Sequence, residues 1–97
     1  MDTTEFFWQE ETENGTKIGL NDEGRSVLGK VKFVSLPDVN TKVLEGKHLF
    51  DVEAEKTVLD VDSPLAGEIV ARNEEVEDNP DYLDDGDHAK NWLFIIK

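Results

Sequence analysis

From Phe50 to Glu55 apolar and acidic residues alternate without a break, Phe50, Val52 and Ala54 against Asp51, Glu53 and Glu55. A period of two puts the apolar set on one face of a strand and the acids on the other. Such a strand must cover its apolar face with another layer. The rest of the chain offers six further strand-like runs: Phe6-Phe7-Trp8, Lys17 to Leu20, Val31 to Val34, Thr57 to Val61, Gly67 to Ala71 and Trp92 to Ile96. Turn signals separate them, including an acidic turn from Glu10 to Gly15, Pro37-Asp38, Val43-Leu44-Glu45-Gly46 and Ser63-Pro64. Seven short strands spaced this way predict a mostly β flattened barrel or sandwich. One or two short helices are expected beside it: Asn21-Asp22 offers an N-cap for Glu23 to Leu28, stopped by Gly29, and Pro80 can open another.

With 97 residues the chain is expected to form one domain over positions 1–97. A domain of that size supports one modest core and leaves little room for a deep, walled active site. Acids outnumber bases 23 to ten, for a net charge of −13. That balance disfavours nucleic acid, which is bound through Lys and Arg neutralising phosphates, and an anionic membrane surface for the same reason. A partner with a basic face would instead be steered towards it. The chain has no cysteine, which excludes a disulfide framework and a thiolate metal site. No apolar run reaches the length of a signal segment or a membrane span, so the cytoplasm and a monomer are the expectations.

Short motifs are uninformative. Gly24-Arg25-Ser26-Val27-Leu28-Gly29-Lys30 fits seven positions of a phosphate-binding loop, but Val31 stands where Ser or Thr must bind magnesium. An EF-hand loop begun at Asp81 puts Leu83 at a ligand position and Trp92 at the closing glutamate. His48 and His88 are 40 positions apart, and neither has metal-type spacing. No nucleophile or acid–base constellation emerges, so a non-enzymatic chain is expected.

A lysine stands out by position. Lys56 joins the runs ending at Glu55 and beginning at Thr57, with no Gly, Pro or Asn to mark the turn. An ordinary surface lysine in a tight hairpin is one reading. Against it, Gly29-Lys30-Val31 followed by Val43 to Gly46 faintly echoes Gly67-Glu68-Ile69 followed by Val76 to Asn79, and Lys56 lies in the hairpin between the two halves. Asn79 replaces Gly46 in that echo, at a position read as left-handed. Glu53 and Glu55 make the tip a charged epitope, and Ser63-Pro64-Leu65-Ala66-Gly67 lets the chain turn back beneath it.

These residues resemble the biotinyl and lipoyl carriers, in which two quasi-symmetric sheets present a modified lysine at a hairpin turn. Glu55 and Thr57 flank Lys56 where biotin carriers have methionines, so lipoylation is the better match. Within lipoyl carriers the chain is similar to the glycine-cleavage H protein. Glu53 stands three before the lysine, Ser63-Pro64-Leu65-Ala66-Gly67-Glu68-Ile69 follows it, and Asn73, Pro80 and Trp92-Leu93 come later. Trp8, Gly19, Gly29 and Val34-x-Leu36-Pro37 match nearer the start.

The resemblance implies lipoic acid in amide linkage to Lys56, attached by a lipoate ligase or a lipoyl or octanoyl transferase. A free lysine has a pKa of about 10.4 and must lose its proton to be acylated, so the modifying enzyme supplies the base. Glu53 and Glu55 are assigned to recognition by that enzyme. The implied partners are a PLP-dependent glycine decarboxylase, an aminomethyltransferase and dihydrolipoamide dehydrogenase, served by a swinging arm carrying an aminomethyl group and reducing equivalents. Some features depart from that pattern: Asn91 precedes Trp92 where the family has Gly, and no His-Glu precedes Trp8. Glu55-Lys56-Thr57 and Asn91-Trp92-Leu93-Phe94 look more like a short H-like branch of some bacteria. Members of that branch can serve lipoate-linked ADP-ribosylation with a sirtuin-type transferase and a macrodomain hydrolase. An adaptor β-domain whose lysine stays unmodified is a further alternative.

Overall fold

The computed structural model describes residues 2–97. Eight strands form two antiparallel sheets. The larger has the order β1 (Phe7–Thr12), β2 (Gly15–Leu20), β8 (Trp92–Ile96), β7 (Gly67–Arg72), β4 (Lys42–Val43). The smaller has the order β3 (Val31–Ser35), β5 (His48–Ala54), β6 (Val58–Asp62). The two-residue β4 is the strand that the sequence pattern misses. A 3-10 turn (Thr3–Phe6) precedes β1, α1 (Asp22–Leu28) joins β2 to β3, and α2 (Glu75–Asp78), a second 3-10 turn (Pro80–Asp84) and α3 (His88–Asn91) lie between β7 and β8. Among the described residues no helix is long and apolar enough to cross a membrane.

Each sheet turns its apolar face inwards. Val52 and Ala54 are buried while Asp51, Glu53 and Glu55 are exposed, as the alternation requires. Phe50 sits at the centre of the interface, its ring 6.1 Å from that of Phe94 on β8 and 6.3 Å, edge-on, from Phe7 on β1. One core cluster holds Ile18, Leu20, Val52, Val61, Ile69, Leu93 and Phe94 from both sheets.

α1 forms where the cap residues lie. The Asn21 side chain accepts the Gly24 N–H at 2.9 Å, and Gly29 ends the helix at φ 70°, ψ −150°, its N–H donating to the Arg25 carbonyl. Gly24 therefore lies inside a helix and belongs to no phosphate loop. Pro80 does open a helical turn, of 3-10 type. Two turns differ from expectation. β1 and β2 run on to Thr12 and Gly15, so only Glu13 and Asn14 form the tight turn. Asn79 sits at φ −130°, ψ 72°, just past the end of α2: Val76 to Asp78 is helical and Asn79 is not left-handed, so the echo of the Gly46 turn, where φ is 77°, is one of sequence and not of conformation.

Candidate functional site

The smaller sheet ends in the hairpin between β5 and β6. Ala54 N–H donates to the Thr57 carbonyl at 2.9 Å, which leaves Glu55 and Lys56 as a two-residue tip. Turns this tight usually need residues at positive φ. Here neither tip residue adopts one, since Asn40 is the positive-φ residue other than glycine among those described. The tip is braced from outside. Glu55 N–H donates to the Lys30 carbonyl at 2.8 Å and Lys56 N–H to the Leu28 carbonyl at 3.1 Å, so the bend between α1 and β3 takes up both amides. This brace replaces the missing Gly or Asn.

Lys56 is exposed. Its aliphatic chain crosses Gly29, and its Nζ donates to the Ser26 carbonyl at 3.1 Å. Among the described residues no carboxylate comes within 4.0 Å of that nitrogen. Glu53 and Glu55 are near it in sequence but face solvent without pairing with it. Glu53 lies on the outer face of the small sheet, in register with Phe33 on β3 and Val58 on β6. Phe33 is 67% and Val58 69% exposed. They border a shallow groove of about 180 Å³ that Glu53 also lines.

The next row of that face is Ser35, Asp51 and Asp60. Asp51 and Asp60 face each other at a site where the ladder makes no hydrogen bond, which brings side chains closest. His48 Nε2 lies 2.8 Å from Asp51 Oδ1, and this contact, ahead of a hydrogen bond to Asp60, holds the Asp51 carboxyl below its ordinary range. Asp60 is pushed up, first by its hydrogen bond to Asp51 and then by the charge there. Ligand-type atoms of His48, Asp51 and Asp60 all lie within 4.8 Å of one another, a grouping invisible from the spacing of the two histidines. His88 lies elsewhere, stacked on Trp8 with ring centroids 4.0 Å apart.

At the far end of the large sheet, Asn91 accounts for its own place before Trp92. Fully buried, it accepts the Trp8 Nε1–H at 2.8 Å and donates through Nδ2 to the Asp85 carbonyl at 2.7 Å. The Trp8 ring lies flat against Gly19, where an added Cβ would stand 2.4 Å from the ring. In the sequence Asn91 stands out as a departure from a family pattern and as part of the run that resembles the short H-like branch, with no structural role attached. An Asn directly before the apolar run Trp92 to Ile96 was the available signal.

The model of the glycine cleavage H-protein matches residues 1–97. The chain belongs to the glycine cleavage H-protein family. It is 39% identical over 97 residues to the glycine cleavage system H protein of Kocuria rhizophila, covering 98% of this chain and 76% of that one. Its identity to the same protein of Anoxybacillus flavithermus is 36%, covering 96% and 73%. The crystal structure of a glycine cleavage system H protein from Mycobacterium marinum superposes with a TM-score of 0.85 at 27% identity, over 98% of this chain and 80% of that chain. H proteins are lipoyl carriers and not catalysts, and the two-sheet β architecture is theirs.

Proposed function

We propose that Lys56 is the lipoyl attachment site, and that the loaded chain shuttles an aminomethyl group and reducing equivalents between glycine decarboxylase, aminomethyltransferase and dihydrolipoamide dehydrogenase. The observation that carries this reading is the braced tip: its two amides are held by the Leu28 and Lys30 carbonyls, while the lysine side chain stays at the surface. The residues present fit a group joined through Nζ. Acylation replaces a hydrogen bond to the Ser26 carbonyl and leaves both backbone braces intact. When bound, lipoate supplies a dithiolane that opens to a dithiol, a redox couple that a chain without cysteine lacks.

The chain's own residues contribute placement. The brace fixes the base of the arm against α1, so its reach is set by the arm alone, and tethering raises its effective concentration at each partner. In acylation Nζ loses a proton to the modifying enzyme, bonds to the activated acyl carbon and displaces its leaving group. Glu53 and Glu55, unpaired with the amine, are available as contacts for that enzyme. The cytoplasm, a single domain over 1–97 and a monomer accompany this reading.

The test is incubation with lipoate ligase, ATP and lipoate, followed by peptide mass mapping. One adduct on Lys56 is expected, lost in Lys56→Ala and in Lys56→Arg, whose guanidinium stays protonated. An adduct on Lys42 or Lys47, or one that survives Lys56→Ala, overturns the assignment.

A further inference from the structure

β6 is an edge strand, and the phase of its hydrogen bonds shows what that edge offers. Thr57 turns its carbonyl towards β5 to accept the Ala54 N–H, whereas Asp62 turns its N–H away from β5 and donates it to Thr3 Oγ1 at 2.8 Å. Backbone groups alternate in direction along a strand. Leu59 and Val61, opposite Val52 and Phe50, therefore bond into the ladder. Val58 and Asp60 point their N–H and C=O groups outwards. The other edge of this sheet is capped: Asp84 Oδ1 accepts the Val31 N–H and Glu77 Oε2 accepts the Leu36 N–H beyond the end of β3. At the β6 edge the hydrogen bond that the 3-10 turn at Thr3–Phe6 makes among the described residues is to Asp62. Apart from a long contact of 3.5 Å from the neighbouring Thr57 hydroxyl to the Val58 carbonyl, the stretch from Val58 to Asp60, starting two residues after Lys56, is left open among the described residues. Open edges are templates for pairing.

The side chains along that edge have a definite chemistry. Val58, exposed beside Phe33, is apolar. Two positions on, Asp60 stands opposite Asp51; His48 partners Asp51, and two carboxylates directly across a strand pair cost stability when both are charged. Asp62 follows. A neighbouring strand would therefore place an apolar residue beside Val58 and, two residues along, a basic one beside Asp60, where it would relieve the carboxylate pair.

We propose that the enzyme acylating Lys56 docks by β-augmentation on this edge, pairing an extended segment with the backbone of Val58 and Asp60 and setting an apolar and a basic side chain against Val58 and Asp60. The inference rests on Lys56 being the acceptor. It selects the acylating enzyme because that enzyme must bring its active site to Nζ itself, next to the edge. Enzymes acting on the loaded arm meet the group at its far end. Main-chain pairing supplies affinity in this mode, and alternate side chains supply specificity.

The test is hydrogen exchange of the unmodified chain, alone and saturated with lipoate ligase in the absence of ATP, resolved by residue. The Val58 and Asp60 amides are expected to slow by about tenfold or more in the complex, while Leu59 and Val61, already in the ladder, change little. A second arm uses proline, which at position 60 costs an outward N–H and no ladder donor and is tolerated on edge strands. Asp60→Pro should raise the KM for ligation about three- to tenfold above that of Asp60→Ala, with kcat retained, the effect of one lost hydrogen bond. Val58 and Asp60 amides exchanging at free-chain rates in the complex overturn the proposal. So does an equal KM for folded Asp60→Pro and Asp60→Ala, and if Asp60→Pro does not fold, the exchange footprint decides. Acylation of Lys56 with an unprotected edge defeats the docking inference alone, whereas absence of acylation at Lys56 defeats both it and the function proposed above.

Discussion

A Cβ built on Gly29 would stand 3.1 Å from Lys56 Cγ and 3.3 Å from its Cδ. The same glycine, at φ 70° and ψ −150°, occupies a region that L side chains scarcely enter, and its neighbours Leu28 and Lys30 supply the carbonyls that brace the hairpin tip. Gly29→Ala is therefore expected to cost about 1–3 kcal/mol of stability and to slow acylation of Lys56. Urea titration gives the first quantity and single-turnover ligation the second. A variant as stable as the parent would show that the bend relaxes without strain.

Asn91 joins β1 to the loop before α3. Asn91→Ala strands the indole N–H of Trp8 and the Asp85 carbonyl at once, both in part-buried contacts, at an expected total cost of about 1–3 kcal/mol. Denaturant midpoints, followed by tryptophan fluorescence, read the loss. A shift below about 0.5 kcal/mol would mean that water replaces the amide there.

Asp84 Oδ1 accepts the Val31 N–H at 3.1 Å. The residue is exposed by area, but this end of it is turned inwards, and desolvation, more than the nearby Asp81 charge, raises its carboxyl above the ordinary 3.8. A raised carboxyl holds its proton more tightly in the folded chain. Its stabilising effect is full below the unfolded value and is lost as pH rises through the folded one. Asp84→Asn keeps an acceptor oxygen and removes the charge, so it should be the more stable protein at pH 7, by less than about 1 kcal/mol given the exposure. The gap should close as pH falls to about 3, below both values. Midpoints measured at both pH values check the sign.

Glu53→Gln together with Glu55→Gln should slow ligation while moving stability by less than about 0.5 kcal/mol, because both side chains face solvent. Ligation kinetics and a thermal melt suffice. An unchanged ligation rate would remove the two acids from recognition.

Much of this architecture was readable because β5 carries an unbroken alternation and because Asn21 and Gly29 cap α1 with the residues such ends require. What escaped was set by contacts distant in sequence. The tip around Lys56 has no turn residue since its amides are satisfied 25 and 28 positions upstream. β4 is too short for a period to show, and Asn79 caps a short helix that Val76 anchors in the core. At the candidate site, the exposure of Lys56, Glu53 and Glu55 at the hairpin was legible from position and alternation. The open edge at Val58 and Asp60 was not, because hydrogen-bond phase and strand order belong to the assembled sheet.

The external brace on the hairpin also bears on quality control. A peptide spanning residues 50–62, cut out as a tag, would keep the lysine and both acids but lose the Leu28 and Lys30 carbonyls, and with them the geometry of the bend. On the proposed reading, an enzyme that recognises the braced tip would inspect the fold before it commits a cofactor. Misassembled copies would go unloaded, and the act of modification would certify that α1, β3 and the hairpin have come together.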